Sequence, residues 1–366
     1  MTLPLAAPSF FATLAEAALP LVHAATQGGQ NSSRLWFYAA FIALICIFLA
    51  LDLGVFNRKA HIVSMKEALL WTALWVSCAL MFAVGVYFMY THHWLGIGVN
   101  VPQAAGKETR DVAGPEAVGL FLTSWMLEYA LSMDNIFVIA LVFRYFCVPA
   151  LHQHRVLFWG ILGALVLRGL MIWLGAELIE RFHWIEYVFG AFLVYSGIKM
   201  MRAGDEEHLD PEKNPIVKLA RRFMRVSPTF DGERFFTRVD GLRAVTPMFL
   251  VLLVVESTDV VFAVDSIPAA FGVTRDSFIV FTSNIFAILG LRSLYFAVSN
   301  LMGKFDHLKY ALAFILIFIG VKMLATYFQF HLSPTISLAV IAGSLIAGVM
   351  SSIFSNRRAA PDVPPD

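Results

Sequence analysis

The feature that most limits how this chain can fold is a series of nine apolar segments. Each is near the ~20 residues that cross a bilayer, and they fall at 35–55, 67–90, 117–147, 155–179, 184–203, 245–271, 275–299, 306–329 and 334–354. In hydrocarbon every backbone N–H and C=O must be satisfied inside the protein, so segments of this length can only be helices. Composition agrees. A soluble chain carries about 25% charged residues; here 14% are charged, 59% are hydrophobic, and the mean hydropathy is +0.72. The expected fold is an all-α polytopic membrane protein with about nine transmembrane helices.

The connections set an orientation. Arg58, Lys59 and Lys66 follow the first segment, Arg144 and Arg155 flank the turn after the third, and Lys304 and Lys309 follow the seventh. Basic residues mark cytoplasmic loops, which puts the N-terminus outside and the C-terminus inside a bacterial inner membrane. The resulting division is a non-cytoplasmic tail (1–33), two spans with an outer loop (34–114), a first unit (115–203), a cytoplasmic loop (204–243), a second unit (244–330) and a last span with its tail (331–366). No Lys or Arg precedes Arg34, so a cleaved leader fits residues 1–33 less well than a retained tail. The loop opens with Asp205, Glu206, Glu207 and Asp210 and continues with Arg221, Arg222 and Arg225. It reads as a solvated segment with some helix.

Six polar positions interrupt the apolar pattern most sharply. Glu256, Asp259 and Asp265 lie within VLLVVESTDVVFAVDSIPAAF (251–271), and Glu128, Asp134 and Asn135 lie within LEYALSMDN (127–135). One carboxylate at mid-bilayer costs about 2.5–3.5 kcal/mol on insertion scales, so several together need a cavity, a cation, a buried arginine or protonation to offset them. Glu256 and Asp259, three apart, share a helix face; Asp265 does not. Either both helices are wedged between others, or they unwind beside the carboxylates, where Pro268 makes a break plausible.

The two units also resemble each other. LSMDNIFVI (131–139) aligns with ESTDVVFAV (256–264), Arg168 with Arg292, and GIKM (197–200) with GVKM (320–323). Each unit holds three spans, an odd number, so the second must sit inverted relative to the first. Inverted repeats with a site near the midplane are a transporter architecture.

The candidate donors are all oxygen, with Ser132 and Asn284 as further candidates. Such a set suits hard divalent cations better than Zn²⁺ or Cu⁺. Asp52, at the end of the first span, is either part of the cation path or an interfacial cap. Arg168 and Arg292 are either counter-charges that gate an empty site or members of a fixed structural ion pair. Cys46, Cys78 and Cys147 are scattered and show no metal or disulfide spacing. No permanent cofactor and no nucleic-acid partner is expected at a net charge of +1. HExxH and GxSxG motifs are absent from the sequence, which argues against an enzyme.

The segments LDLGVFNRKAH (51–61), EYALSMDN (128–135), TPMFLVLLVVESTDVVFAVDSIPA (246–269) and FTSNIFAILGLRSLYF (281–296) resemble the TerC family of integral membrane proteins, including its Alx branch. The resemblance spans roughly residues 34–330. It implies export of divalent metal, chiefly Mn²⁺, a historical link to tellurite resistance, and kinship with LysE-like exporters built on inverted three-helix repeats. Carried onto this chain, the acidic motif positions are Glu128, Asp134 and Asn135, then Glu256, Asp259 and Asp265, with Asp52 in the first-span motif.

The expected function is a secondary exporter of Mn²⁺, or also Ca²⁺, in exchange for protons. The partners are then the metal ion and the lipid bilayer. A different class of reading stays open: a membrane scaffold of a tellurite-resistance or envelope-stress complex, with a structural acidic core.

Overall fold

A computed structural model describes residues 39–45, 47–48, 64–102, 109–202, 215–299, 308–328 and 332–359. Asp52, the tail 1–33 and the acidic start of the loop at 204–243 lie outside these residues. Helical residues 39–45 mark the first apolar segment. The long helices that follow are α1 (Met65–Thr91), α2 (Gly114–Tyr145), α3 (Ala150–Arg181) and α4 (Ile185–Arg202). After the loop come α5 (Pro215–Phe223), α6 (Pro247–Val273), α7 (Ser277–Leu289), α8 (Leu291–Ser299), α9 (Leu308–Ala325) and α10 (Pro334–Ala359).

Among the described residues, six helices are long and apolar enough to cross a membrane, and a seventh span results if α7 and α8 count as one. α4 is long enough but is not among them: its 18 residues include Glu186, Lys199 and Arg202. At ~1.5 Å per residue, the 32-residue α2 and α3 run to about 48 Å, beyond the ~30 Å hydrocarbon core. Local chemistry sets the ends. Ser64 caps α1 by accepting from the Glu67 amide, and Asp276 caps α7 by accepting from the Phe278 and Ile279 amides. Pro115 and Pro247 stand in first turns, where a missing N–H costs nothing.

Two details go beyond what the sequence settled. α6 runs unbroken from Pro247 to Val273 with Pro268 inside it, so the helix does not unwind beside its carboxylates. Of the two options, α2 and α6 take the wedged one, each packed against several other helices. The break falls in the next span instead, between α7 and α8, where the axis bends by 43° at Gly290, two residues before Arg292. The segment between α4 and α6 is also, in its described part, more ordered than a solvated segment with some helix. It holds α5 and an antiparallel hairpin, β3 (Phe236–Val239) and β4 (Leu242–Val245). The turn is Asp240-Gly241 with both residues at positive φ, 53° and 77°, the two-residue turn that matches strand twist. A smaller pair, β1 (Val101–Pro102) and β2 (Thr109–Arg110), lies in the other large loop. The protein is therefore mostly rather than purely helical.

Packing is arranged in reciprocal pairs. α2 lies against α6 and α7, α3 lies against α6 and α7, and α4 lies along α9. The α4–α9 seam is floored by backbone. A Cβ at Gly197 would stand 2.7 Å from the Ala313 carbonyl, and one at Gly320 would stand 2.6 Å from the Gly190 carbonyl. Small residues at such seams let helix backbones approach closely.

Candidate functional site

α2, α3 and α6 converge on Arg168. Its guanidinium is 2% exposed and forms ion pairs with Glu128 of α2 and Asp259 of α6, the latter at 2.9 Å from Nη2 to Oδ1. Nε also donates to both Asp259 oxygens at 3.3 Å, and Nη1 reaches Asn284 Oδ1 of α7 at 3.5 Å. Asn135 Nδ2 donates to Asp259 Oδ1 at 2.9 Å, joining α2 to α6 directly. Glu128, Asn135, Arg168, Asp259 and Asn284 are thus one buried network drawn from four helices. A charge pair at this depth holds only when geometry and additional hydrogen bonds compensate its lost hydration, and Asn135 and Asn284 supply those bonds.

The network leaves acceptors unfilled. Among the described residues, no hydrogen-bond donor reaches the buried Ser132 Oγ, Asn135 Oδ1 or Glu256 Oε2. Glu256 lies against α3 at Gly163, where a Cβ would collide with its carboxylate. A small cavity beside the network is lined by Asn135, Gly160, Val255, Asp259, Arg292 and Tyr295. Arg292, the counterpart of Arg168 in the sequence alignment, therefore borders the same site from α8.

The other candidates separate from this cluster. Asp134 is half-buried on a neighbouring face of α2, and Asn135 makes the link to Asp259 in its place. Asp265 faces α4, where Ser196 Oγ donates to it at 2.8 Å. Among the described residues, no group of three or more His, Cys, Asp or Glu side chains is gathered as a metal cage. The sequence had pointed to neither Gly163 nor Ser196. Gly160, Gly163 and Ala164 put small residues on one face of α3, with Gly160 and Ala164 at the four-residue spacing of a close helix contact, and were the signal for the first. Ser196 had no comparable signal.

A profile described as Integral membrane protein TerC family matches residues 113–360. An uncharacterized membrane protein of Myxococcus xanthus is 47% identical over 90% of this chain and 95% of its own length. A Shigella flexneri protein named as a membrane-bound redox modulator, Alx, is 44% identical over 88% of this chain and 96% of its own. The thylakoid membrane protein TERC of Arabidopsis thaliana is 46% identical over 70% of this chain and 64% of its own. No solved structure matches the chain.

Proposed function

The chain belongs to the TerC family of integral membrane proteins, and from that premise we propose that it is a secondary exporter of divalent cations. Mn²⁺ is the first substrate in this reading and Ca²⁺ the second. Nine spans cross a bacterial inner membrane with the N-terminus outside, and the two three-helix units are inverted repeats. Glu128, Asp134, Asn135, Glu256, Asp259 and Asp265 supply oxygen ligands along the route, and protons return in exchange.

One observation carries the reading. Carboxylates from the first helix of each unit, Glu128 and Asp259, meet at a single buried cation, the guanidinium of Arg168. Both carboxylates share this one guanidinium, and among the described residues oxygen acceptors that no donor reaches lie close by in α2 and α6. In this reading Arg168 is the counter-charge of the resting state, and an arriving divalent ion takes over its partners. The repeat draws support from the α4–α9 seam. At the alignment offset of GIKM over GVKM, the contact of Gly197 with Ala313 maps onto that of Gly320 with Gly190. Proton exchange follows from electrostatics, since metal ligands must be deprotonated to bind.

The scaffold reading has its own observation in the lack of a gathered metal cage among the described residues. Flux separates the two. Purified protein in liposomes should move Mn²⁺ in the direction opposite to an imposed proton flow without other proteins, and Asp259→Asn should abolish that flux while the protein stays folded. Wild-type liposomes that pass no divalent ion, or an Asp259→Asn variant that transports like wild type, would overturn the proposal.

A further inference from the structure

We infer that α5 and the β3–β4 hairpin form a platform that docks on anionic phospholipid headgroups beside the first turn of α6. The inference concerns a surface away from the buried network and does not depend on what the protein transports.

The platform is anchored at the end of the bundle. Val217 of α5 is buried in a cluster with Met248 and Val251 of α6. Phe235 lies under the Arg155 guanidinium of α3 at 5.4 Å, and the Phe236 ring packs tilted against Phe249 of α6 with centroids 5.1 Å apart. These contacts hold the hairpin level with the start of a membrane span. From there it shows an apolar surface to the outside. Phe223 is 75% exposed and Phe236 64%, and Leu219, one turn before Phe223 on the same side of α5, is exposed as well. In bulk water this would be a costly surface; at the headgroup level it is the buried half of an interfacial helix.

The charges point the same way. Residues 215–245 carry seven basic and three acidic side chains. Two of the acidic ones are engaged within the protein: Glu233 pairs with Arg155 and His154, and Asp231 accepts from Thr237. Lys218 and Arg222 are exposed on α5, on the side next to Leu219 and Phe223, and Arg225 is exposed just past its end. Arg238 and Arg243, both exposed, stand directly opposite each other across the hairpin. Like charges so placed destabilise a hairpin unless an anion lies between them. A phosphodiester headgroup supplies that anion, and its acyl chains cover the apolar residues beside it. Basic residues near an anionic leaflet are attracted strongly enough to make such docking measurable and salt-sensitive.

The test uses the full chain in nanodiscs of phosphatidylcholine, with or without phosphatidylglycerol, followed by hydrogen–deuterium exchange across 215–245. Exchange should slow on the order of fivefold with phosphatidylglycerol, the factor expected for about one basic contact, and this protection should fade in high salt. Arg238→Gln with Arg243→Gln should remove the phosphatidylglycerol effect and leave exchange in α2 and α6 unchanged. Equal exchange in both lipids would overturn the inference with no variant needed. Equal protection by free inorganic phosphate over phosphatidylcholine would overturn the lipid assignment. Neither outcome touches the export reading, which liposome flux tests separately.

Discussion

Arg168 and Asp259 are joined at 2.9 Å, with 2% and 4% of their side chains exposed, although they stand on helices of different units. Because Glu128 shares the same guanidinium, the two ends of this contact are not equivalent. Arg168→Gln leaves two buried carboxylates facing each other. Asp259→Asn leaves a one-to-one pair. Removing one partner of a buried pair costs about 3–5 kcal/mol, so Arg168→Gln should sit near the top of that range and Asp259→Asn below it. Thermal unfolding of the purified variants measures the difference. Equal losses would mean that Glu128 does not share the charge.

The same asymmetry predicts a metal response. Mn²⁺ should raise the unfolding temperature of Arg168→Gln more than that of wild type, because the divalent ion has no guanidinium to displace. Stabilisation of about 2.7 kcal/mol is expected where free ion exceeds Kd about a hundredfold. Adding Glu128→Gln and Asp259→Asn to Arg168→Gln should abolish the response.

Gly163 makes room for Glu256. Gly163→Ala should cost about 1–3 kcal/mol through overpacking and lower flux with it. Shortening the carboxylate with Glu256→Asp should recover part of the stability in the Gly163→Ala background, although it gains nothing alone. A double-mutant cycle on unfolding temperatures reads this coupling directly; strict additivity would mean that the two positions do not touch.

Gly197→Ala and Gly320→Ala should destabilise to similar degrees, each by about 1–3 kcal/mol, since each Cβ meets a carbonyl across the α4–α9 seam. Gly343→Ala on α10 is the control. Its Cβ meets nothing within 4 Å, so stability should hold or rise slightly through the better helix propensity of alanine.

Tyr90 Oη donates to Asp276 Oδ2 at 2.7 Å, while Asp276 caps α7. Tyr90→Phe should cost about 0.5–1.5 kcal/mol. Asp276→Ala should cost more, because it removes the cap and strands the tyrosine hydroxyl together. A reversed order in unfolding temperatures would show that the cap contributes little.

What the sequence disclosed followed from periodicity and cost. Helix positions were legible because apolar length leaves no other choice, and every long helix from α1 to α10 falls on an expected segment. The proximity of Glu128, Asn135 and Asp259 was legible because carboxylates in hydrocarbon must turn inward. Their partner was harder to settle. Arg168 was recognised as needing a carboxylate, but side-chain identity alone could not say that it would bridge two. Asp265 was legible as lying off the face that Glu256 and Asp259 share, but not that it would meet Ser196 on α4. The hairpin went unread although Asp240-Gly241 is a strong turn signal, because the surrounding charges suggested a solvated loop. The bend at Gly290 had no local marker beyond the glycine itself.

The seam between α4 and α9 has a mechanical consequence. Its glycines meet carbonyls of the opposite helix together with side chains such as Ile317 and Val194. Any added methylene on either side of this seam must displace backbone as well as side chain, so the spacing of the two helices is held by the absence of atoms rather than by their fit.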